Sequence, residues 1–124
     1  MSDTTTTVDA YIDAWNEEDA ARRAELIARA WADDGAYVDP ALAAQGHAGI
    51  SEMVDGVHAQ FPGHRFRRTS EVDEHNGLVR FGWELAAPDG AAAVAGIDVA
   101  VLADDGRLQR VAGFFGELPA LAAA

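Results

Sequence analysis

The sequence predicts a single α+β domain in which three N-terminal helices cover a curved, mostly antiparallel sheet and enclose an apolar pocket. Two patterns lead there. Apolar residues recur at helical spacing three times before Phe61, and the rest of the chain alternates in β fashion between glycine-bearing turns. A third observation, the carboxyl residue Asp98 on an otherwise apolar strand, places acid chemistry within the enclosure.

Residues 1–7 (MSDTTTT) are polar and are expected to be disordered. The first helix follows, with Val8, Tyr11, Ile12 and Trp15 on one stripe. Asp19 is placed to cap a second helix whose shared face is Ala24, Ile27, Ala28 and Trp31, closed by Asp33-Asp34-Gly35. A short strand over 36–39 stops at Pro40, which has no N–H to give to a ladder. Residues 41–46 read as a loop. A third helix from about residue 48 presents Ile50, Met53, Val54, Val57 and then Phe61, and Pro62-Gly63 ends it.

Strands are expected over 64–75, 78–86, 92–103 and 107–116, separated by Asn76-Gly77, Pro88-Asp89-Gly90 and Asp104-Asp105-Gly106. Such separators suit hairpins, so the four strands form a meander that the helices cover on one side. The folded unit spans 8–117, and 118–124 (LPALAAA) reads as a loose tail.

Composition narrows the function classes. A chain of 124 residues, 49% hydrophobic, suits one domain with a real core. Cysteine is absent, which excludes disulfides and thiolate metal sites and fits a reducing, cytoplasmic compartment. No apolar run approaches the roughly 20 residues of a membrane span, and no basic start leads into an apolar one. Nine basic residues, all arginine, stand against 21 acidic, a balance of −12, which repels nucleic acid. The one basic cluster, Arg65, Arg67 and Arg68, reads as a solvated strand face or a subunit contact.

Strand alternation decides what lies inside. Val79, Phe81, Trp83 and Leu85 share a face, opposed by Arg80 and Glu84. In the next strand Ile97, Val99 and Val101 oppose Val94, Gly96, Asp98, Ala100 and Leu102. A carboxylate among small apolar neighbours is costly unless protonated or paired. Two readings stay open: a cavity wall, or a solvated face with an arginine partner. His47 is either an acid–base group or a helix-start residue satisfied by backbone. His58, His64 and His75 show no metal spacing, and there is no phosphate loop or nucleophile elbow. No metal or cofactor is expected.

Three segments, AYIDAWNEED, ADDGAYVDP and GIDVAVLADDGRLQRVAGFFGE, together with the order of elements, resemble the nuclear transport factor two-like (cystatin-like) superfamily. Within it the chain is similar to the ketosteroid isomerases and to the SnoaL-like polyketide cyclase group, over about residues 8–117. That resemblance implies a strongly curved sheet forming a cone around the pocket. It puts Asp39 at the general-base position and Tyr11 and Asp98 at the oxyanion donors. Val54 stands where the isomerases carry a buttressing tyrosine, and Gly46-His47 is closer to the SnoaL-like proteins.

Under this resemblance Trp15, Trp31, Tyr37, Met53, Val57, Phe61, Phe66, Trp83 and Phe115, with His47, form a slot for a small apolar, even polycyclic, carbonyl compound. The implied activity is cofactor-free proton transfer, as in an isomerase or cyclase. Each aromatic also has a plain core reading. Competing functions are a binding protein that does not transform its ligand, a purely structural role, and an epoxide hydrolase, for which Arg80 faces the wrong way. A homodimer through the outer sheet face, bearing Leu108, Ala112 and Phe114, is also expected.

Overall fold

The threonine run that reads as a disordered start is helical from Asp3. In the computed structural model, which describes residues 3–122, α1 spans Asp3–Asn16. Thr7 Oγ1 donates to the Asp3 carbonyl at 3.1 Å, so a β-branched residue feeds its hydroxyl back into the helix. The parts of the expected loose ends at 1–2 and 123–124 lie outside the described residues.

Helix α2 is Ala20–Ala30, capped by Asp19, whose carboxylate accepts from the Arg22 N–H at 2.9 Å. Its buried face follows the apolar pattern only in part: Ile27 and Trp31 are buried as expected. Ala24 and Ala28 are exposed, while Arg23, Ile27 and Ala30 are buried. Arg23 is 0% exposed: its guanidinium donates to Glu17 O (2.8 Å), Ser51 O (3.2 Å), Ser51 Oγ (3.1 Å) and Asp55 Oδ1 (2.7 Å). It ties the end of α1 to α3 (Gly46–Gln60), where Ile50, Val54 and Val57 of the expected stripe are buried and Met53 and Phe61 are partly so. A hydropathy count discards a charged residue from a core face, and here the charged residue is the core.

Strand β1 is Trp31–Val38 and begins at a residue expected in the helix. The Asp33-Asp34-Gly35 turn is instead an irregularity within this strand, between the pairs Trp31↔Leu108 and Ala36↔Arg110. Glycine is needed at 35 because a Cβ there would come within 2.5 Å of the Trp31 ring. The loop at 41–46 contains β2 (Ala43–Gln45), and the strand expected over 64–75 is two, β3 (Arg65–Arg68) and β4 (Asp73–His75). Strands β5 (Leu78–Ala86), β6 (Ala92–Leu102) and β7 (Leu108–Phe115) follow the expected bounds closely. Asn76 and Gly77 at the β4–β5 turn both have positive φ, as a primed hairpin turn requires.

The meander joins β1 in parallel at β7, giving the order β2-β1-β7-β6-β5-β3, with β4 also on β5. The expected cone is not formed: three helices pack on a sheet that is neither strongly curved nor closed. Its ends are the short strands β2 and β3, which do not pair with each other. The β3 edge is met instead by Asn16, whose amide donates to Phe66 O at 2.9 Å and accepts from Phe66 N at 2.7 Å. The β5–β6 ladder runs regularly from Leu78↔Val101 to Leu85↔Val94, its irregularity confined to one end. A bulge is what bends a strand, and the middle of this ladder has none.

Inner and outer faces follow alternation on β5 and β6, but not at Leu108. That residue is fully buried, because the register shifts between Val101 and Leu102. The outer apolar face is therefore Leu78, Ile97, Val99, Val101 and Phe114, without Leu108. No helix among the described residues is long and apolar enough to cross a membrane.

The buried arginine gives an unequal pair of substitutions. Arg23→Met strands several carbonyls and is expected to cost about 3 kcal/mol. Asp55→Asn removes a partner that is 65% exposed and is expected to cost under about 1 kcal/mol. Urea unfolding of the two variants checks this order.

Candidate functional site

Asp98 lies at the middle of β6, paired with Phe81 on one side and Gly113 on the other. Its side chain points to the inner face, under α1, and the residue is only 3% exposed. The solvated reading fails, but Asp98 is not on the cavity wall either: it is buried in the layer behind it. Tyr11, 1% exposed, reaches down from α1 and donates its hydroxyl to Asp98 Oδ2 at 2.7 Å. Trp31 and Phe81 meet the Tyr11 ring edge-on, with centroids at 5.7 and 6.0 Å, and fix its aim. Asp98 Oδ1 has no hydrogen-bond partner, nor has the buried indole Nε1 of Trp83.

Asp39 is held by a different device. It follows Val38 at the end of β1, and its Oδ1 accepts the N–H groups of Ala41 and Leu42, both at 2.8 Å. This local turn around Pro40 fixes the carboxylate, because an aspartate oxygen can take the place of a backbone carbonyl. Tyr37, two residues back and therefore on the same strand face, donates to Asp39 Oδ2 at 2.7 Å. The sequence reading gave Tyr37 only an apolar role; its separation from Asp39 was the available signal for this bond.

The two tyrosine–carboxyl pairs meet at Gly113. A Cβ on that residue would sit 3.0 Å from Asp98 Oδ1, 3.0 Å from the Tyr37 hydroxyl and 3.2 Å from Asp39 Cβ. A side chain at 113 would crowd both pairs and force them apart. Burial pushes the Asp98 carboxyl up to about 7, with nearby Asp39 adding to it and hydrogen bonding by Tyr11 opposing it. The Trp83 N–H is directed at the same carboxyl and also favours its charged form, though it falls short of hydrogen-bond geometry. Burial raises Tyr11 and Tyr37 well above the usual phenol range, and Asp98 adds to both, so each hydroxyl keeps its proton.

Asp39 and Tyr37 open onto a cavity of about 150 Å³ between the helices and the inner sheet face. Of the residues expected to form a slot, Trp15, Tyr37, Val57, Phe61, Phe66, Trp83 and Phe115 line it. Leu42, Gln60, Leu85 and Val94 complete the wall without having been singled out by sequence. Tyr11 and Asp98 lie behind the wall. Trp31, His47 and Met53 are elsewhere: Trp31 is buried core, Met53 packs against that core, and His47 Nε2 lies 3.0 Å from the carbonyls of both Trp31 and Ala32. The backbone reading of His47 is the one the geometry supports.

A larger groove of about 550 Å³, lined by charged residues including Asp13, Glu17, Arg22 and His64, shares only Phe61 with this cavity and holds neither carboxyl pair. Among the described residues no cluster of three or more His, Cys, Asp or Glu is arranged to hold a metal ion.

Comparison with known proteins accords with this geometry. The SnoaL-like domain matches residues 8–111. A SnoaL-like family protein of Agrobacterium tumefaciens, provisionally designated an isomerase, is 39% identical and superposes with a TM-score of 0.87, covering 94% of this chain and 100% of its own. A provisional polyketide cyclase from Sinorhizobium meliloti is 15% identical, with a TM-score of 0.68 over 87% of this chain and 93% of its own. A Catenulispora acidiphila protein of ketosteroid isomerase-like fold, solved with trimethylamine, is 16% identical, with a TM-score of 0.68 over 86% and 82%. At such identities these last two share the fold alone. No curated protein sequence matches the chain. The extent of the domain match and the identity to the Agrobacterium protein agree, and the chain belongs to the SnoaL-like family.

Proposed function

We propose that this protein transfers a proton within a small apolar carbonyl compound, using its own side chains alone. One observation supports this most directly: two carboxyls converge on Gly113 from different surroundings, Asp39 at the cavity and Asp98 buried and raised to about 7. Such a division assigns one carboxyl to remove a proton and the other to donate a hydrogen bond. Asp39 Oδ2, with a lone pair beyond its bond from Tyr37, takes the proton from the carbon beside the carbonyl. As that C–H bond breaks, its electrons move onto the carbonyl oxygen, and neutral Asp98 stabilises the resulting enolate. Asp39 then returns the proton to another carbon of the same conjugated system. Tyr11 is a positioning residue in this scheme, since its hydroxyl is committed to Asp98; neither residue lines the cavity, so Asp98 acts on the enolate from the layer behind the wall.

Cavity size narrows the substrate. About 150 Å³ is below the roughly 300–1,000 Å³ of ordinary drug-sized ligand sites, so a one-ring ketone fits and a polycyclic one does not. A second reading, binding without conversion, is favoured by the three hydrogen bonds that Asp39 already accepts, which leave it a weaker base. Turnover decides between them. The monocyclic β,γ-cyclohexenone is expected to isomerise faster than a β,γ-unsaturated steroid ketone, and Asp39→Asn to lower kcat/KM at least about a hundredfold. Saturable ketone binding with no conversion above buffer would establish the binding protein instead.

Asp98 makes both activity and stability depend on pH. Its folded value lies above the unfolded one, so between about pH 4 and 7 the folded chain holds a proton that the unfolded chain releases. Stability therefore declines as pH rises through that window. Asp98→Asn is expected to abolish the slope and to exceed the wild type by up to about 4 kcal/mol at pH 8, the gap closing near pH 4. In the same scheme kcat/KM falls above about pH 7. Tyr11→Phe, which removes a bond that holds the Asp98 value down, moves that fall to higher pH. Urea melts and pH–rate profiles measure these effects.

We further propose a homodimer through the outer sheet face, where Phe114 (61% exposed) and Ile97 (47%) pair across β6 and β7 beside Val99. Light scattering is expected to give twice the chain mass, and Ile97→Glu with Phe114→Glu to give one chain. A wild-type mass of one chain would refute the dimer.

A further inference from the structure

The aromatic cavity and the charged groove lie back to back, and one thin wall separates them. Neighbouring residues on three elements face opposite ways across it. Trp15, Val57 and Phe66 line the cavity of about 150 Å³, while Asn16, His58 and Arg65 line the groove of about 550 Å³. Phe61 borders both. On the cavity side the wall is the Trp15–Phe66 ring pair, with centroids 5.0 Å apart.

Side chains on the groove side hold that pair together. Phe66 lies on the edge strand β3, paired with Leu85 of β5 on one side. On the other, Asn16 accepts its N–H at 2.7 Å and donates to its carbonyl at 2.9 Å. A carboxamide carries both a donor and an acceptor, so it closes on the edge as another strand would. His58 Nε2 lies 2.7 Å from the Trp15 carbonyl, one of those left open at the end of α1. A carbonyl only accepts, so this nitrogen carries the proton and donates. Each ring is thus held through its own backbone, Phe66 by Asn16 and Trp15 by His58.

Resting on the reading of this cavity as a ketone site, we propose that Asn16 is a specificity-determining residue: its clasp on Phe66 sets the largest ligand the cavity admits. His58 supports the clasp from α3. When the clasp is released the two rings part, and the cavity gains space from the groove behind. There Leu26 and Phe61 offer apolar surface to a second ring.

Calorimetric titration of the whole chain with cyclohexanone and with the two-ring ketone decalone tests this. The wild type is expected to bind cyclohexanone more tightly. Asn16→Ala is expected to shift the ratio of the two affinities at least about tenfold toward decalone, on the scale of burying a few further ring carbons. Arg68, 3.2 Å from Asp9, still ties β3 to α1 in that variant. Should it nevertheless fail to fold, Asn16→Asp keeps the acceptor for Phe66 N, loses the donor to Phe66 O, and is expected to shift the ratio less in the same direction. An unchanged ratio in the variant that folds, with both affinities lowered alike, marks a purely structural residue and overturns the proposal while leaving the cavity as a ligand site. A wild type that binds decalone as tightly as cyclohexanone does the same. Absence of cyclohexanone binding to the wild type would overturn the ketone reading of the cavity and this inference with it.

Discussion

Asp98 beneath α1 sets the terms for much of the structure around it. A carboxyl group deep in an apolar layer must be neutral, paired or both, and the chain provides Tyr11 from 87 positions away. To deliver that hydroxyl, α1 must lie across β6 with its apolar stripe inward, and Trp31 and Phe81 must fix the ring. To leave room for the carboxyl, β7 must present Gly113, which also lets Tyr37 and Asp39 approach from β1. The parallel pairing of β1 with β7 is thus what joins the acid in the core to the acid at the cavity.

Arg23 poses the same problem with the opposite sign, and the solution differs in kind. Its guanidinium takes acceptors from Glu17, Ser51 and Asp55, mostly as neutral oxygens, and leaves no buried ionic partner. Such an arrangement satisfies a charge through neutral acceptors. Asp98 is left half satisfied, with one oxygen bonded and one bare. A fully bonded ion serves architecture, whereas a carboxyl with one bare oxygen remains responsive to its protonation state. The stability lost to Asp98 ionisation is the counterpart of that responsiveness.

Much of this was legible in the sequence where one rule acted alone. Alternation along Leu78–Ala86 gave the buried set of β5, and the small neighbours of Asp98 marked its face as inner. Legibility ended where two rules competed. Hydropathy cannot see the five hydrogen bonds that close around the Arg23 guanidinium. At Leu108 a register shift reverses alternation without any local signature. The helical stripe of α2 continues through Trp31, one residue past the point where β1 takes over the backbone. The cone came with the family resemblance, and an unclosed edge covered by Asn16 is a tertiary fact that no single strand encodes.

An open sheet changes how the cavity is enclosed. In a closed cone, walls on every side would shut out water. Here that falls to aromatic rings: Trp15 edge-on to Tyr37 and tilted on Phe66, and Trp83 edge-on to Phe66 and Phe115. These rings are large and stiff, and they form a partition rather than a shell. A partition of that kind divides the two carboxyls by dielectric as well as by distance. Asp39 faces the cavity, and Asp98 lies in the drier layer behind it, where electrostatic interactions are strongest. The sheet brings the two acids to one glycine, and the aromatic partition makes them chemically unlike.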